Sequence, residues 1–207
     1  MAMRPEELAL SANEAACVTG VPLKQVHRII DAGLLGDSVK SRKGARVILK
    51  HALVGLKLAH ETTDILTLEG RRRLVRHVLD DPEARTVRED AVSVDVRPMK
   101  NDVKRGITSL EKARKMIVSD KDILGGAPCF KGTRIAVHDI AELLANGDQV
   151  AAILAAYPTV TEGQVTAAAI YAEAYPRRGR PRQQPEWRKA KQRASKKVEL
   201  DKLLQAS

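Results

Sequence analysis

Residues 11–35 read SANEAACVTGVPLKQVHRIIDAGLL, and this stretch decides the fold. Ser11 with Glu14 three positions on is a capping box. The serine side chain satisfies an orphan amide of the first turn, and the glutamate reaches back to the cap. A helix over 13–18 follows and stops at Thr19-Gly20-Val21. A second helix spans about 23–32. Val26, Ile29 and Ile30 recur at helical spacing and face inward, and Gly33 stands where a C-cap belongs. Two short helices joined by a glycine-containing turn predict a helix-turn-helix.

Downstream, Val39 and residues 47–49 form two short strands around the basic turn 41–44, Ser-Arg-Lys-Gly. That is a hairpin wing. Residues 51–60 are a helix with Leu53, Leu56 and Leu58 apolar. Residues 62–90 read as a helical connector. Thr67 caps a helix running to about Leu79, and Asp80-Asp81-Pro82 ends it, because proline disfavours helix in the residue before it. Residues 91–97 alternate at Val92, Val94 and Val96, which predicts a half-buried strand. A helix over 99–115 and a second short strand at 117–118 follow. Beyond a turn-rich loop come helices over 137–144 and 150–156. A third starts at the capping box Thr161–Gln164 and runs to Tyr175.

The expected fold is mainly α. Two tri-helical helix-turn-helix units, the first with a β-hairpin wing, flank a short β-strand and precede an extended C-terminal tail. The expected divisions are a winged unit over 1–60, a helical connector over 61–118, a second helix-turn-helix over 119–175 and a basic tail over 176–207.

Charge and composition narrow the function. Of a net charge of +10 over 207 residues, residues 176–207 carry +8. The tail has three prolines and ten basic residues within 176–197, too few apolar groups to fold alone. Its end, with Val198, Leu200, Leu203 and Leu204, can form an apolar helical stripe once docked. A basic segment of this kind calls for a polyanionic or acidic partner. Aromatic residues make up 2% of the chain, so the core must be aliphatic. No apolar run is long enough for a membrane span, and the start lacks a signal-peptide core, so a cytoplasmic protein is expected. Cys17 and Cys129 lie far apart without metal-ligand or disulfide-framework spacing, and a reducing compartment fits them.

Two family resemblances add to this. Residues 120–175 carry Gly126-Ala-Pro128, Lys131-Gly-Thr-Arg-Ile135, Asp139-Ile140, Leu143-Leu144, Gly147, Ile153-Leu154, Tyr157-Pro158, Thr161 and Ala168-Ala-Ile-Tyr171-Ala172. This pattern resembles a bacterial and archaeal domain found beside PIN-like ribonuclease toxins and regarded as a VapB-type antitoxin. More weakly, residues 10–58 resemble the winged helix-turn-helix of the MerR group, without the aromatic residues that group carries in its wing. The resemblance implies an antitoxin that neutralises a PIN-like ribonuclease toxin and represses its own operon, with the toxin and operator DNA as partners.

The candidate residues follow from chemistry. Lys24, Gln25, His27, Arg28 and Asp31 lie opposite the apolar face of the second helix. Arginine suits guanine edges, glutamine suits adenine and lysine suits phosphate. The wing offers Arg42, Lys43 and Arg46 to the DNA backbone or minor groove. A solvated helix and polar turn are the plainer reading of the same residues. The second helix-turn-helix has no Lys or Arg between Arg134 and Arg177, which makes it a poor phosphate binder. Its run of small residues suits close helix packing instead.

In the tail, Arg178-Gly-Arg180-Pro-Arg182 resembles an AT-hook, a peptide that inserts arginines into the A·T minor groove. The resemblance to antitoxins implies another use. Arg178, Arg180, Arg182, Trp187, Arg188, Lys191, Arg193, Leu200 and Leu203 would engage an acidic nuclease site through arginine–carboxylate pairs and apolar anchors. A solvated linker remains the third reading. Val92, Val94 and Val96 are the expected dimerisation strand of a homodimer, which would supply the two-fold symmetry that operator half-sites need. No nucleophile–base order, phosphate loop or paired carboxylates stand out, so no enzyme, cofactor or metal is expected. The alternative to an antitoxin is a freestanding DNA-binding regulator that uses the same helix and the AT-hook-like segment.

Overall fold

The structure, a computed structural model, describes residues 9–42 and 44–177. Fifteen elements follow one another: β1 (Ala9–Ser11), α1 (Ala12–Thr19), α2 (Leu23–Asp31), β2 (Val39–Arg42), β3 (Ala45–Leu49), α3 (Leu53–Glu61), α4 (Leu68–Asp80), β4 (Thr86–Glu89), β5 (Val92–Asp95), α5 (Arg97–Met116), β6 (Ile117–Ser119), β7 (Pro128–Phe130), α6 (Val137–Ala145), α7 (Val150–Ala156) and α8 (Glu162–Ala174). The described chain is mainly α, with three small antiparallel sheets.

Local chemistry sets the helix ends. The capping boxes at Ser11/Glu14 and Thr161/Gln164 are both formed, and the Thr67 hydroxyl accepts from the Gly70 amide at the start of α4. The C-cap of α2 is Ala32, and Gly33 sits one residue beyond it rather than at the cap itself. Gly33 adopts φ +67°, its amide bonds the Ile30 carbonyl, and the Leu34 amide reaches back to Ile29. This is a Schellman motif, and it needs a residue that tolerates positive φ just past the cap.

The hairpin forms as expected, with Ser41 opposite Arg46 and Arg42 opposite Ala45. β1 joins it as a third strand, pairing Leu10 with Ile48. Three residues, the last of them the cap itself, are too short to show alternation, so β1 has no signal of its own in the sequence. In the same way β5 pairs with β4, Val94 against Val87, and β6 pairs with β7, Ile117 against Phe130. Where one short strand is expected between the helical units, the structure has a hairpin of two.

Three apolar clusters hold these elements. The first joins Leu10, Val18, Val26, Ile29, Leu35, Leu53, Leu56, Val103 and Leu110, and it takes in Ala174 from the end of α8. The second gathers Ile117, Phe130, Val137, Ile140, Ile153, Val165 and Ala168. The third gathers Leu58, Leu74, Val78, Val87, Val96 and Met99. α8 contributes to two clusters at once, and the described residues belong to one unit in which the helices of the first and second expected helix-turn-helix segments share a cluster. None of the described helices is long and apolar enough to cross a membrane.

One contact sets the spacing between α1 and α5. Gly106, midway along α5, lies so close to α1 that a Cβ there would stand 2.1 Å from the Val18 carbonyl oxygen. A glycine inside a helix costs about 1 kcal/mol relative to alanine. Here it permits backbone approach that no side chain would allow.

Candidate nucleic-acid interface

α2 is strongly two-sided. Val26, Ile29 and Ile30 are buried, while Lys24, Arg28 and Asp31 are exposed, and Gln25 and His27 are half-buried along the margins. At 100° per residue Lys24, Arg28 and Asp31 share the outward face. His27 borders one flank, and Gln25 and Ala32 border the other. Lys24 and Arg28 pair with no carboxylate among the described residues.

The hairpin meets this helix through one side chain. Arg46 forms an ion pair with Asp31, and its Nη2 lies 3.5 Å from Nδ1 of His27. Register explains the choice. Ile48, buried, and Arg46 two residues earlier lie on the same face of β3, so Arg46 projects toward α2. Arg42 pairs opposite Ala45 and therefore belongs to the other face. The structure thus brings Arg46 to Lys24, His27, Arg28 and Asp31 as one surface and sets exposed Arg42 on the outer side of the hairpin. Lys43 lies outside the described residues, as do Arg178, Arg180, Arg182, Trp187, Arg188, Lys191, Arg193, Leu200 and Leu203.

The three valines of the expected dimerisation strand part company. Val92 and Val94 are half-buried in β5, whose partner strand is β4 of the same chain. Val96 lies beyond the strand, at the N-cap of α5, and is fully buried against Leu58, Leu74, Val78 and Met99. Its side chain belongs to the chain's own core and not to a surface. The alternation continues one residue past the strand because the next helix buries the same face.

A polar cluster stands behind the interface, and the sequence gives no sign of it. Glu14 is buried in α1, and its carboxylate accepts from the Tyr175 hydroxyl and from the Arg114 guanidinium. Arg114 Nε also donates to Tyr175 Oη at 2.5 Å, and the guanidinium lies 5.5 Å from the centre of that ring. Burial opposes ionisation of Glu14. Hydrogen bonds from Tyr175 and Ser11 and the charge of Arg114 outweigh it, holding the carboxyl below its usual range. Burial and the Glu14 carboxylate push the Tyr175 phenol well up. The Tyr175 carbonyl accepts from His138 Nε2 at 2.7 Å, and Arg177 pairs with Asp139. The end of the described segment, Tyr175 to Arg177, is therefore pinned to α1, α5 and α6. Ser11-x-x-Glu14 announces only the cap. The partners of Glu14 are 100 and 161 positions away, which no local pattern reveals.

The cysteines sit apart from this surface. Burial, helped by Glu173, pushes the Cys17 thiol up to about 12, and burial raises Cys129 as well. Their Sγ atoms donate to the carbonyls of Ile170 and Ala127.

Residues 117–172 match the family described as "Protein of unknown function (DUF433)". This stretch forms β6 to α8 and does not include α2 or the hairpin. No solved structure matches the chain. The uncharacterized protein y4eO of Sinorhizobium fredii is 33% identical over 187 residues, and the match covers 84% of each chain. It extends well outside residues 117–172, so it takes in α2 and the hairpin or the tail, and the chain belongs to the same family as that protein.

Proposed function

We propose that the chain is a DNA-binding antitoxin, with α1, α2 and the β2–β3 hairpin acting as a winged helix-turn-helix of MerR-like plan. The observation that carries the DNA reading is the Arg46–Asp31 pair, which joins the hairpin to the outward face of α2. In this reading α2 enters the major groove. Arg28 contacts guanine, Gln25 adenine, and Lys24 a phosphate. Arg42, Lys43 and Arg46 follow the backbone beside it. Two copies related by a two-fold axis would read an operator, with Val92 and Val94 near the dimer contact.

The second half of the proposal concerns residues 176–207, whose net +8 contrasts with +2 in the rest of the chain. Arg178, Arg180, Arg182, Arg188, Lys191 and Arg193 would pair with the metal-binding carboxylates of a PIN-like ribonuclease, with Trp187, Leu200 and Leu203 as apolar anchors. Support comes from the VapB-like pattern of residues 120–175.

One observation favours the alternative, a freestanding regulator. Glu173 and Pro176 line the same cleft, about 340 Å³, as Pro22 and Leu23. The described residues thus end beside the N-terminal end of α2, and the AT-hook-like segment 178–182 follows directly in the sequence. A chain ending at Arg177 separates the readings. For an antitoxin it binds duplex DNA almost as well as the full chain but no longer captures the ribonuclease encoded beside it. For a freestanding regulator it loses DNA affinity and its salt dependence flattens. Equal capture of the ribonuclease by both chains would overturn the role given to the tail.

A further inference from the structure

α5 is the longest helix described, and its two sides differ in kind. Val103 and Leu110 are buried in the cluster shared with α1, α3 and the end of α8. At 100° per residue, Arg97, Asn101, Lys104, Thr108, Lys112 and Lys115 share the opposite side, and all six are exposed. α5 packs on α1 and α3, and α2 rests on the same two helices, so this side is turned away from the helices that carry α2.

A solvated helix face ordinarily mixes the two signs of charge. Here Arg97 pairs with Asp95 at the first turn, but Lys104, Lys112 and Lys115 pair with no carboxylate among the described residues. The positions four away from Lys104 are Lys100 and Thr108, and those four away from Lys112 are Thr108 and Met116. Glu111, four before Lys115, is drawn off to Lys50 at 3.1 Å, and Asp102 to Lys57 at 3.5 Å and to Arg105. General basicity does not account for the stripe, since residues 1–175 carry only +2. The helix dipole favours a cation at Lys115 in the last turn, but its pull does not reach Lys104 or Lys112.

We propose that this face of α5 is a second duplex-binding surface, separate from α2, which takes the phosphate backbone of B-form DNA across a major groove. Lys104 and Lys112 stand about 12 Å apart along the axis at 1.5 Å per residue, and a major groove is about 12 Å wide. Lys104 thus meets one wall, and Lys112 with Lys115 the other. A partner protein fits less well, because protein interfaces have an apolar centre and are poor in lysine, whereas Asn101 and Thr108 fill the space between these cations. A single strand fits less well too, because α5 has no aromatic residue on which a base could stack. The proposal stands whether or not α2 enters a groove.

The test uses the full chain and a fluorescent mixed-sequence DNA duplex of about 30 base pairs, with anisotropy fixing the duplex concentration that saturates it. Lysines are then acetylated briefly with and without saturating duplex, and each site is read by mass spectrometry. Lys104, Lys112 and Lys115 are expected to be protected several-fold, and exposed Lys121, in the loop after β6, to be unchanged. Each phosphate contact adds about 0.9 to the slope of log affinity against log salt, so the duplex concentration that half-protects the three lysines should rise about 40-fold between about 50 and 200 mM salt. Lys24 reports separately on α2. Protection of Lys24 without the α5 lysines overturns this inference and leaves the reading of α2 standing, and the reverse result does the opposite. A chain that does not bind the duplex, equal slowing at Lys121, or protection by polyglutamate but not by DNA would each overturn it, the last by assigning the face to an acidic protein.

Discussion

Replacing Gly106 by alanine tests the packing that positions α2. An added methyl would lie 2.1 Å from the Val18 oxygen, 2.9 Å from its carbonyl carbon and 3.0 Å from its Cα. All three are backbone atoms, and no side-chain rotation relieves them. Ordinary carbon–oxygen contact begins near about 3.3 Å, so α1 and α5 must separate by about 1 Å. Alanine gains about 1 kcal/mol of helix propensity over glycine, while overpacking of a fitted contact costs about 1–3 kcal/mol and more where backbone must move. The balance is a loss of about 1–2 kcal/mol, a fall in Tm of about 2–8 °C for a domain of this size. Gly163 provides the contrast, because a methyl added there would find its nearest neighbour, Thr161 Oγ1, at 4.0 Å. Alanine at that position is expected to raise stability by up to about 1 kcal/mol. Urea and thermal unfolding followed by far-ultraviolet circular dichroism measure both. A Gly106→Ala chain as stable as the parent, beside a Gly163→Ala chain that behaves as expected, would refute the close approach of α5 to α1.

Glu14 is held below its usual pKa, so the stability it contributes is complete at neutral pH and is lost as pH falls from the unfolded value near about 4.3 through the lower folded one. Glu14→Gln is expected to be less stable at pH 7, by about 1–3 kcal/mol, and to approach the parent as pH falls below the usual carboxylate range, as urea titrations across acidic pH would show. Tyr175→Phe removes the hydroxyl that bridges Glu14 and Arg114, and a loss of about 1–2 kcal/mol is expected at pH 7 in the same assay. With its thiol pushed up to about 12, Cys17 is expected to react far more slowly with iodoacetamide at pH 8 in the folded chain than in urea, read by mass spectrometry. Asp31→Asn should release Arg46 and tighten duplex binding in the anisotropy assay. Weaker binding would instead make Asp31 a direct contact, consistent with a carboxylate accepting from cytosine.

Much of the helical skeleton is legible in the sequence because its signals are local. Ser11, Thr67 and Thr161 announce helix starts within three residues, and Val26, Ile29 and Ile30 mark the buried side of α2 by spacing alone. What escapes depends on partners far along the chain. β1 and β4 are three and four residues long and exist as strands only because β3 and β5 pair with them. Val96 keeps the rhythm of β5 but turns into the core as the N-cap of α5. In the candidate interface, the alternating faces of a hairpin are the usable signal for Arg42 and Arg46. Counting from Ile48 places Arg46 inward and Arg42 outward, whereas grouping them as wing-tip cations merges two faces.

In the part of the chain that matches the DUF433 family, Lys121, Lys131 and Arg134 all precede the helices α6 to α8. These helices carry no Lys or Arg between Arg134 and Arg177, so in the proposed DNA reading phosphate attraction is not their part. α8 does something else. Val165 and Ala168 near its start pack into the cluster around Phe130, and Ala174 at its end packs into the cluster that contains Val18, Val26 and Ile29. Cys17 donates to the Ile170 carbonyl, and Glu14 is locked to Tyr175 just past the helix end. α8 thereby holds α1 against α5, and α1 carries the Thr19–Pro22 turn from which α2 starts. The alanines that make α8 useless for gripping a polyanion are what let it lie close enough to act as this brace. On physical grounds, damage to α8 would reach DNA binding through the placement of α2, with the salt slope intact and the affinity and stability falling together. Loss of a true phosphate contact changes the slope first.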